Sequence, residues 1–217
     1  MIVNNSQIFR LKVSNKMKNG NKWKDHYTER AREENWLARS VYKLEEIDKK
    51  YKLIQQGSRI LDLGCYPGSW SQFCLKRAGQ GGTVIGIDLQ MPDRISSPNF
   101  RFFEADILTL DMEALSRDIG KIGLVISDLA PQTTGNKFTD TCRSMDLVEK
   151  ALEIALVVLK KGGHFICKVF EGEDFKPFKD KASVYFDQTR ILRPSAVRKR
   201  SREVYLIGIN FVKESID

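Results

Sequence analysis

The sequence predicts a mostly parallel α/β sheet of the doubly wound kind, and three observations predict it. The apolar run Arg59-Ile60-Leu61 leads into a glycine-bearing turn, Asp62-Leu-Gly-Cys-Tyr-Pro-Gly-Ser-Trp70, and then into a helical pattern beginning near Ser71. Strand, tight turn and helix in that order form the first unit of a nucleotide-binding sheet, because glycine lets the backbone approach a ligand closely. Short apolar segments then alternate with helical periodicity, the signature of parallel strands joined by crossovers. Finally, Asp62, Asp88, Asp106, Asp128 and Lys168 each stand at the polar end of a separate apolar segment.

Taken in order, Met1 to about Asn21 is polar and basic without hydrophobic periodicity. Residues 1–24 are therefore expected to form a flexible basic arm and 25–217 one domain, since 217 residues at 41% hydrophobic suffice for a single core. Between Asp25 and Tyr51 the residues Trp36, Leu37, Val41, Leu44 and Ile47 recur at three and four. That spacing predicts one amphipathic helix, with Lys43 off its apolar face. Gln56-Gly57-Ser58 ends the helix and opens the sheet.

Thr83 to Asp88, Asn99 to Asp106 and Ile122 to Asp128 are apolar runs closing on an aspartate, and Gly163 to Lys168 closes on a lysine. Helical periodicity is clearest from Ser144 to Leu159, with Gly162-Gly163 as its stop. Val184-Tyr-Phe and Glu203 to Phe211 flank a basic loop without an intervening helix, which predicts an antiparallel C-terminal edge.

The turn discriminates between nucleotides. Its glycines are spaced Gly64-x-x-x-Gly68, with Pro67 between, so it is not the dinucleotide fingerprint, and no Gly-Lys-Ser/Thr follows to make a phosphate loop. Asp62 at the mouth would repel phosphate and welcome a cation. S-adenosyl-L-methionine carries an ammonium and a sulfonium and no phosphate, so it suits the turn better. In an open parallel sheet ligands bind outside the carboxyl ends of the strands, which brings the five polar residues to one rim. Asp88, about 20 residues beyond the turn, is placed to accept ribose hydroxyls. Asp106 is placed for the adenine amino group, and Asp128 for the methionyl ammonium or the transferred methyl. Trp70 either lines the pocket or packs in the core.

Composition bounds the partners. A net charge of +8 and a pI near 9.3 point to a polyanion or an anionic surface. The four cysteines fall in no Cys-x-x-Cys pair, and two histidines leave no plausible zinc site. A reduced cytoplasmic setting is expected. No apolar run approaches the roughly 20 residues of a membrane span, and no apolar signal core opens the chain. An organelle transit peptide is the minor alternative, and monomer is the default.

Two basic runs at the edges of the expected rim are either solvated faces or phosphate contacts that position an RNA. Arg190, Arg193, Arg198, Lys199, Arg200 and Arg202 precede Glu203, and Lys16, Lys18, Lys22, Lys24, Arg30, Arg32 and Arg39 lie toward the N-terminus. Contacts from such residues to phosphates position an RNA without reading its sequence. Trp36 and Tyr42 either stack on bases or pack in the core.

Five motifs carry a resemblance. They are Ser40-Val-Tyr-Lys43-Leu-Glu-Glu-Ile, Asp62 to Gln72, Ser127-Asp128-Leu-Ala-Pro131, Lys168-Val-Phe-Glu-Gly172 and Ser201-Arg-Glu203-Val-Tyr205. In this order they make the chain similar, from about Trp36 to Asn210, to the FtsJ/RrmJ (RlmE) family of large-subunit ribosomal RNA ribose 2′-O-methyltransferases. The resemblance implies a Rossmann-like S-adenosylmethionine-dependent fold with a seven-stranded sheet and an antiparallel C-terminal edge strand. It places a Lys-Asp-Lys-Glu tetrad on Lys43, Asp128, Lys168 and Glu203. Cofactor contacts fall on the turn residues Asp62, Gly64, Gly68 and Trp70 and on Asp88, Asp106 and Asp128.

Lys168 would take the proton of the ribose hydroxyl as general base or would mainly orient the ribose, with Lys43 and Glu203 holding the group. Cys65 and Tyr66 stand where the family usually has small residues, and Gln132-Thr-Thr-Gly135 replaces a more usual Asn-containing sequence. The expected acceptor is ribosomal RNA, naked or within the large subunit. The rival readings are a methyltransferase for tRNA or another RNA, and a silent RNA-binding module, against which retention of all four tetrad positions argues.

Overall fold

The computed structural model describes the backbone of residues 22–92, 94–131 and 137–212, and their side chains except at 22–25 and 137–141. The expected N-terminal arm up to residue 21 and the Gln132 to Gly135 stretch lie outside the described residues. In chain order the elements are α1 (Lys22–Glu33), α2 (Val41–Tyr51), β1 (Arg59–Leu63), α3 (Ser69–Ala78), β2 (Thr83–Asp88), β3 (Phe100–Glu104) and α4 (Met112–Ile119), then β4 (Ile122–Ser127), α5 (Lys137–Val158), β5 (Leu159–Phe170), α6 (Phe175–Ser183), β6 (Phe186–Leu192) and β7 (Glu203–Phe211).

The strands form one seven-stranded sheet in the order β3-β2-β1-β4-β5-β7-β6. Pairs among the first five are parallel, and β7 runs antiparallel to both β5 and β6. The doubly wound fold and the antiparallel C-terminal pairing thus stand as the sequence predicts. Within that pair, β7 is inserted next to β5 and β6 is the edge. The reason is legible in burial: β7 is apolar and almost continuously buried, whereas β6 carries the exposed Asp187, Gln188 and Arg190 that an outer strand tolerates.

Side-chain alternation along each strand gives the sheet two apolar faces. On one, Leu61, Leu63, Val125 and Phe165 pack with residues of α4, α5 and α6. On the other, Ile60, Leu124, Ile126 and Ile166 pack with α2, α3 and the loop residues Ala196 and Val197.

Two expectations are corrected. The single helix over Asp25 to Tyr51 is two helices, because Asn35 adopts a left-handed backbone (φ 59°) and turns the chain out of α1. The connector then docks on α3: Leu37 N donates to Gln72 Oε1 (3.2 Å), and Gln72 Nε2 donates to the Asn35 carbonyl (3.0 Å). Gly162 and Gly163 do not stop the helix, which ends at Val158; they lie inside β5, where the pairing with β4 shifts register between Ile122 and Leu124. Gly162 has φ 75° there, and a Cβ on Gly163 would stand 2.8 Å from the Lys160 carbonyl.

Candidate active site

The turn after β1 is shaped by two positive-φ glycines. Gly64 (φ 76°) donates its N–H to the Ile87 carbonyl at 2.8 Å, and a Cβ there would lie 2.5 Å from Leu129 Cδ2. Gly68 (φ 110°) precedes the first residue of α3, packed so that a Cβ would meet Ile95, Leu37 and Pro92 within 3.0 Å. The turn is drawn onto the second strand by Asp88, whose Oδ2 accepts from Tyr66 N at 2.9 Å.

Between this turn and the loops after β2, β3 and β4 lies a cavity of about 680 Å³. Gly64, Tyr66, Asp88, Asp106 and Asp128 line it, with Leu89, Leu108 and Leu129 among its apolar walls. Its size fits one small organic ligand. Asp88 Oδ1 also accepts from Gln90 N (3.2 Å), and Asp106 Oδ1 from Leu108 N (2.9 Å). A carboxylate offers about four acceptor sites, so each keeps capacity for a ligand donor.

Asp62 and Trp70 are placed differently from the rim expected for them. Asp62 is the fourth residue of β1, 1% exposed, and its side chain faces α3, where Ser71 Oγ donates to Oδ2 at 2.6 Å. Burial, above all, and the charges of Asp128 and Asp88 push its carboxyl up to about 7 against the Ser71 hydrogen bond. Trp70 is 3% exposed; its Nε1 donates to the Ser40 carbonyl (2.9 Å) and its ring lies 5.7 Å from that of Tyr205. It is a core residue that pins the entrance of α2.

The four residues expected as a tetrad converge at the rim beside the cavity. Register brings two of them together, since Ser127 pairs with Cys167 and the next residues are Asp128 and Lys168. Lys168 Nζ lies 2.5 Å from the Asp128 carbonyl oxygen and 3.2 Å from its Oδ1. Lys43, on α2, lies 2.6 Å from Glu203 Oε1 and 3.7 Å from Asp128 Oδ1. All four side chains are at most 18% exposed. Two ammonium groups and two carboxylates thus balance in a largely desolvated cluster, where removing one partner would strand a charge.

One member of the cluster escapes the sequence reading. Tyr205 is fully buried, and its hydroxyl reaches Asp128 Oδ1 at 2.6 Å and Glu203 Oε1 at 2.9 Å. Burial and those two carboxylates push its ionisation well upward, so it stays a donor. The signal was present: Glu203 and Tyr205 are two apart on β7 and share a face, and Tyr205 is the cross-strand partner of Lys168.

The predicted RNA-facing residues divide. Arg30 is engaged by Glu34 (2.7 Å) and lies over the Tyr42 ring, Arg39 donates to the Ala196 carbonyl (2.7 Å), and Arg190 donates to Gln188 (2.9 Å). Arg32, Arg198, Lys199, Arg200 and Arg202 are exposed. Trp36 packs on Phe73 and Tyr42 is buried, both within the α2 and α3 layer. The side chains of Lys16, Lys18, Lys22 and Lys24 lie outside the described residues.

Comparison with known proteins gives the family. The model of the FtsJ-like methyltransferase family matches residues 36–211. The chain is 46% identical over 196 residues to the ribosomal RNA large subunit methyltransferase E of Desulfosudis oleivorans, covering 88% of this chain and 92% of that one. It is 44% identical over 190 residues to the protein of the same name from Bdellovibrio bacteriovorus, covering 86% and 96%. The crystal structure of a Plasmodium falciparum chain described as a ribosomal RNA methyltransferase superposes with a TM-score of 0.72 at 30% identity, covering 82% of this chain and 99% of that one. Glycine turn, acidic rim and tetrad therefore sit in a chain that belongs to the FtsJ-like methyltransferase family.

Proposed function

We propose that the chain methylates the 2′-oxygen of a ribose in large-subunit ribosomal RNA, with S-adenosyl-L-methionine as methyl donor, in a cytoplasmic setting. The observation that carries this reading is the cluster of Lys43, Asp128, Lys168, Glu203 and Tyr205 at the edge of a cavity lined by Asp88, Asp106 and Asp128. Three carboxylates around that cavity disfavour a phosphate-bearing ligand and fit one that carries positive charge. Asp88 would hold ribose hydroxyls, Asp106 the adenine amino group, and Asp128 the ammonium end. The bound donor supplies an electrophilic methyl group for the ribose oxygen.

The chain's own residues act on the acceptor. Lys168 at the rim would hold the ribose oxygen in line and, once its ammonium has released a proton to solvent, would take up the hydroxyl proton as the neutral amine while the methyl–sulfur bond breaks, a role that contributes about a hundred- to ten-thousand-fold in rate. Lys43 pairs with Glu203 and Asp128, Asp128 holds Lys168, and the Tyr205 hydroxyl lies within hydrogen-bonding distance of both carboxylates. Because displacement demands alignment, this rigidity supports the rate alongside proton transfer. Residues 25–217 act as the catalytic domain, and the basic segment 1–24 adds attraction to RNA.

Transfer of labelled methyl from S-adenosyl-L-methionine to total RNA and to undermethylated large subunits, followed by nuclease mapping, tests the proposal. Label recovered as a 2′-O-methylnucleotide of large-subunit ribosomal RNA is expected. Label in tRNA alone would overturn the target, and no label in any RNA would overturn the activity.

A further inference from the structure

The loop from Arg193 to Arg202 contains no helix or strand, yet side chains fasten it at several points. Glu46 Oε2, on α2, accepts from the Ser195 N–H at 2.8 Å and from its hydroxyl at 2.5 Å. Arg39 donates to the Ala196 carbonyl at 2.7 Å. Arg193 folds back on its own loop, with Nη2 reaching the carbonyls of Arg198 and Lys199 at 3.4 Å and of Ser201 at 2.5 Å. Ala196 and Val197 are buried beneath, and Glu171 N donates to the Arg202 carbonyl at 2.9 Å, closing the far end onto the end of β5. A loop held at its ends and its middle has little freedom left to lose on binding.

What the loop turns outward is positive charge. Arg198, Lys199, Arg200 and Arg202 are exposed, no acidic residue stands between Arg193 and Arg202, and the next residue is Glu203 of the tetrad. Helix α2 sets both places at once. Lys43 and Glu46 are neighbours on it at i and i+3; the first meets Glu203 and the second holds Ser195.

We infer that the loop Arg193 to Arg202 is a preformed phosphate-binding platform that seats the RNA backbone beside the reacting ribose, and that Glu46 is a positioning residue that sets its place relative to Glu203. This rests on the RNA methyltransferase reading and adds the surface that receives the acceptor. It makes a counterintuitive demand on sign. Glu46 is a carboxylate near a polyanion, so on charge alone its removal would tighten RNA binding. As the holder of the platform, its removal must weaken it.

The test compares Glu46→Ala and Glu46→Gln in the full chain, using a fluorescent fragment of large-subunit ribosomal RNA for binding and labelled methyl transfer for turnover. Glu46→Ala is expected to raise both Kd and KM for RNA roughly tenfold, the scale of a lost charge-assisted hydrogen bond, with kcat at saturating RNA and the cofactor Kd unchanged. Glu46→Gln keeps an amide oxygen for Ser195 and is expected to bind RNA as tightly as the parent chain or more so. RNA binding by Glu46→Ala that equals or exceeds the parent's would overturn the positioning role, as would a loss in Glu46→Gln equal to that in Glu46→Ala. The exposed Arg200→Ala tests the platform even where Glu46→Ala unfolds: the slope of log affinity against log salt should shrink by about 0.7–0.9, and an unchanged slope would overturn it. Failure of the underlying reading looks different, since the parent chain would then transfer no methyl to RNA.

Discussion

The Lys43 ammonium lies 2.6 Å from Glu203 Oε1, joining α2, near the start of the described chain, to the first residue of β7, near its end. With each side chain no more than 14% exposed, the pair is screened little by solvent and ties two elements that are remote in sequence. Lys43→Ala and Glu203→Gln should therefore each lower methyl transfer, and the double variant should be less impaired than the product of the singles. A double-mutant cycle on kcat/KM is expected to give a coupling of about 0.5–3 kcal/mol. Simple multiplication of the two losses would show that the residues act independently.

Lys168→Ala removes the group proposed to face the acceptor. Methyl transfer should fall about a hundred- to ten-thousand-fold, while binding of S-adenosyl-L-methionine, followed by calorimetry, survives. Undiminished turnover would remove Lys168 from the mechanism.

Tyr205→Phe keeps the buried ring and its packing on Trp70 but deletes the hydroxyl shared by Asp128 and Glu203. Hydrogen bonds to charged groups contribute about 1.5–3 kcal/mol, so kcat should drop roughly ten- to a hundredfold with the cofactor Kd nearly unchanged. A loss appearing only in the cofactor Kd would instead place Tyr205 in the binding of the donor.

Asp62 makes stability depend on pH. Its folded carboxyl titrates at about 7, above the roughly 3.9 of an unfolded aspartate, so between these values the folded chain binds more protons than the unfolded one. This group's contribution is then greatest below about 4, is lost as pH rises toward 7 and is flat beyond, a change of the order of 4 kcal/mol. Asp62→Asn should narrow the difference in denaturant stability between pH 5 and pH 8 relative to the parent chain. An unchanged difference would mean that the buried carboxyl stays ionised throughout.

How far the site could be read from residues alone varied with distance along the chain. Asp88, Asp106 and Asp128 are recognisable because each ends or follows an apolar strand, and a parallel sheet carries such positions to one rim; Lys168 lies two residues before the end of β5 and meets Asp128 through the register of β4 with β5. Asp62 belongs to the same pattern but lies one residue before the end of β1, and period-two alternation turns it into the α3 face. Trp70 could not be assigned by spacing, because a residue at the start of a helix faces the cavity or the core according to how that helix docks. Tyr205 lies in an apolar run, and its hydroxyl gains its partners Asp128 and Glu203 only when β7 is paired in the sheet. The break after α1 depended on Asn35 entering the left-handed region, which asparagine tolerates but does not announce.

Hydrophobic periodicity, glycine placement and the polar residues near the strand ends were thus enough for the parallel sheet and its acidic rim, and the five motifs for the resemblance to the family, because each acts within a few residues. What required the folded molecule were the relations between distant segments: β7 lying inside β6, Arg30, Arg39 and Arg193 engaged within the protein, and Glu46 holding Ser195. A side chain's partner across the fold is set by register and packing, and neither is written in its neighbours along the chain.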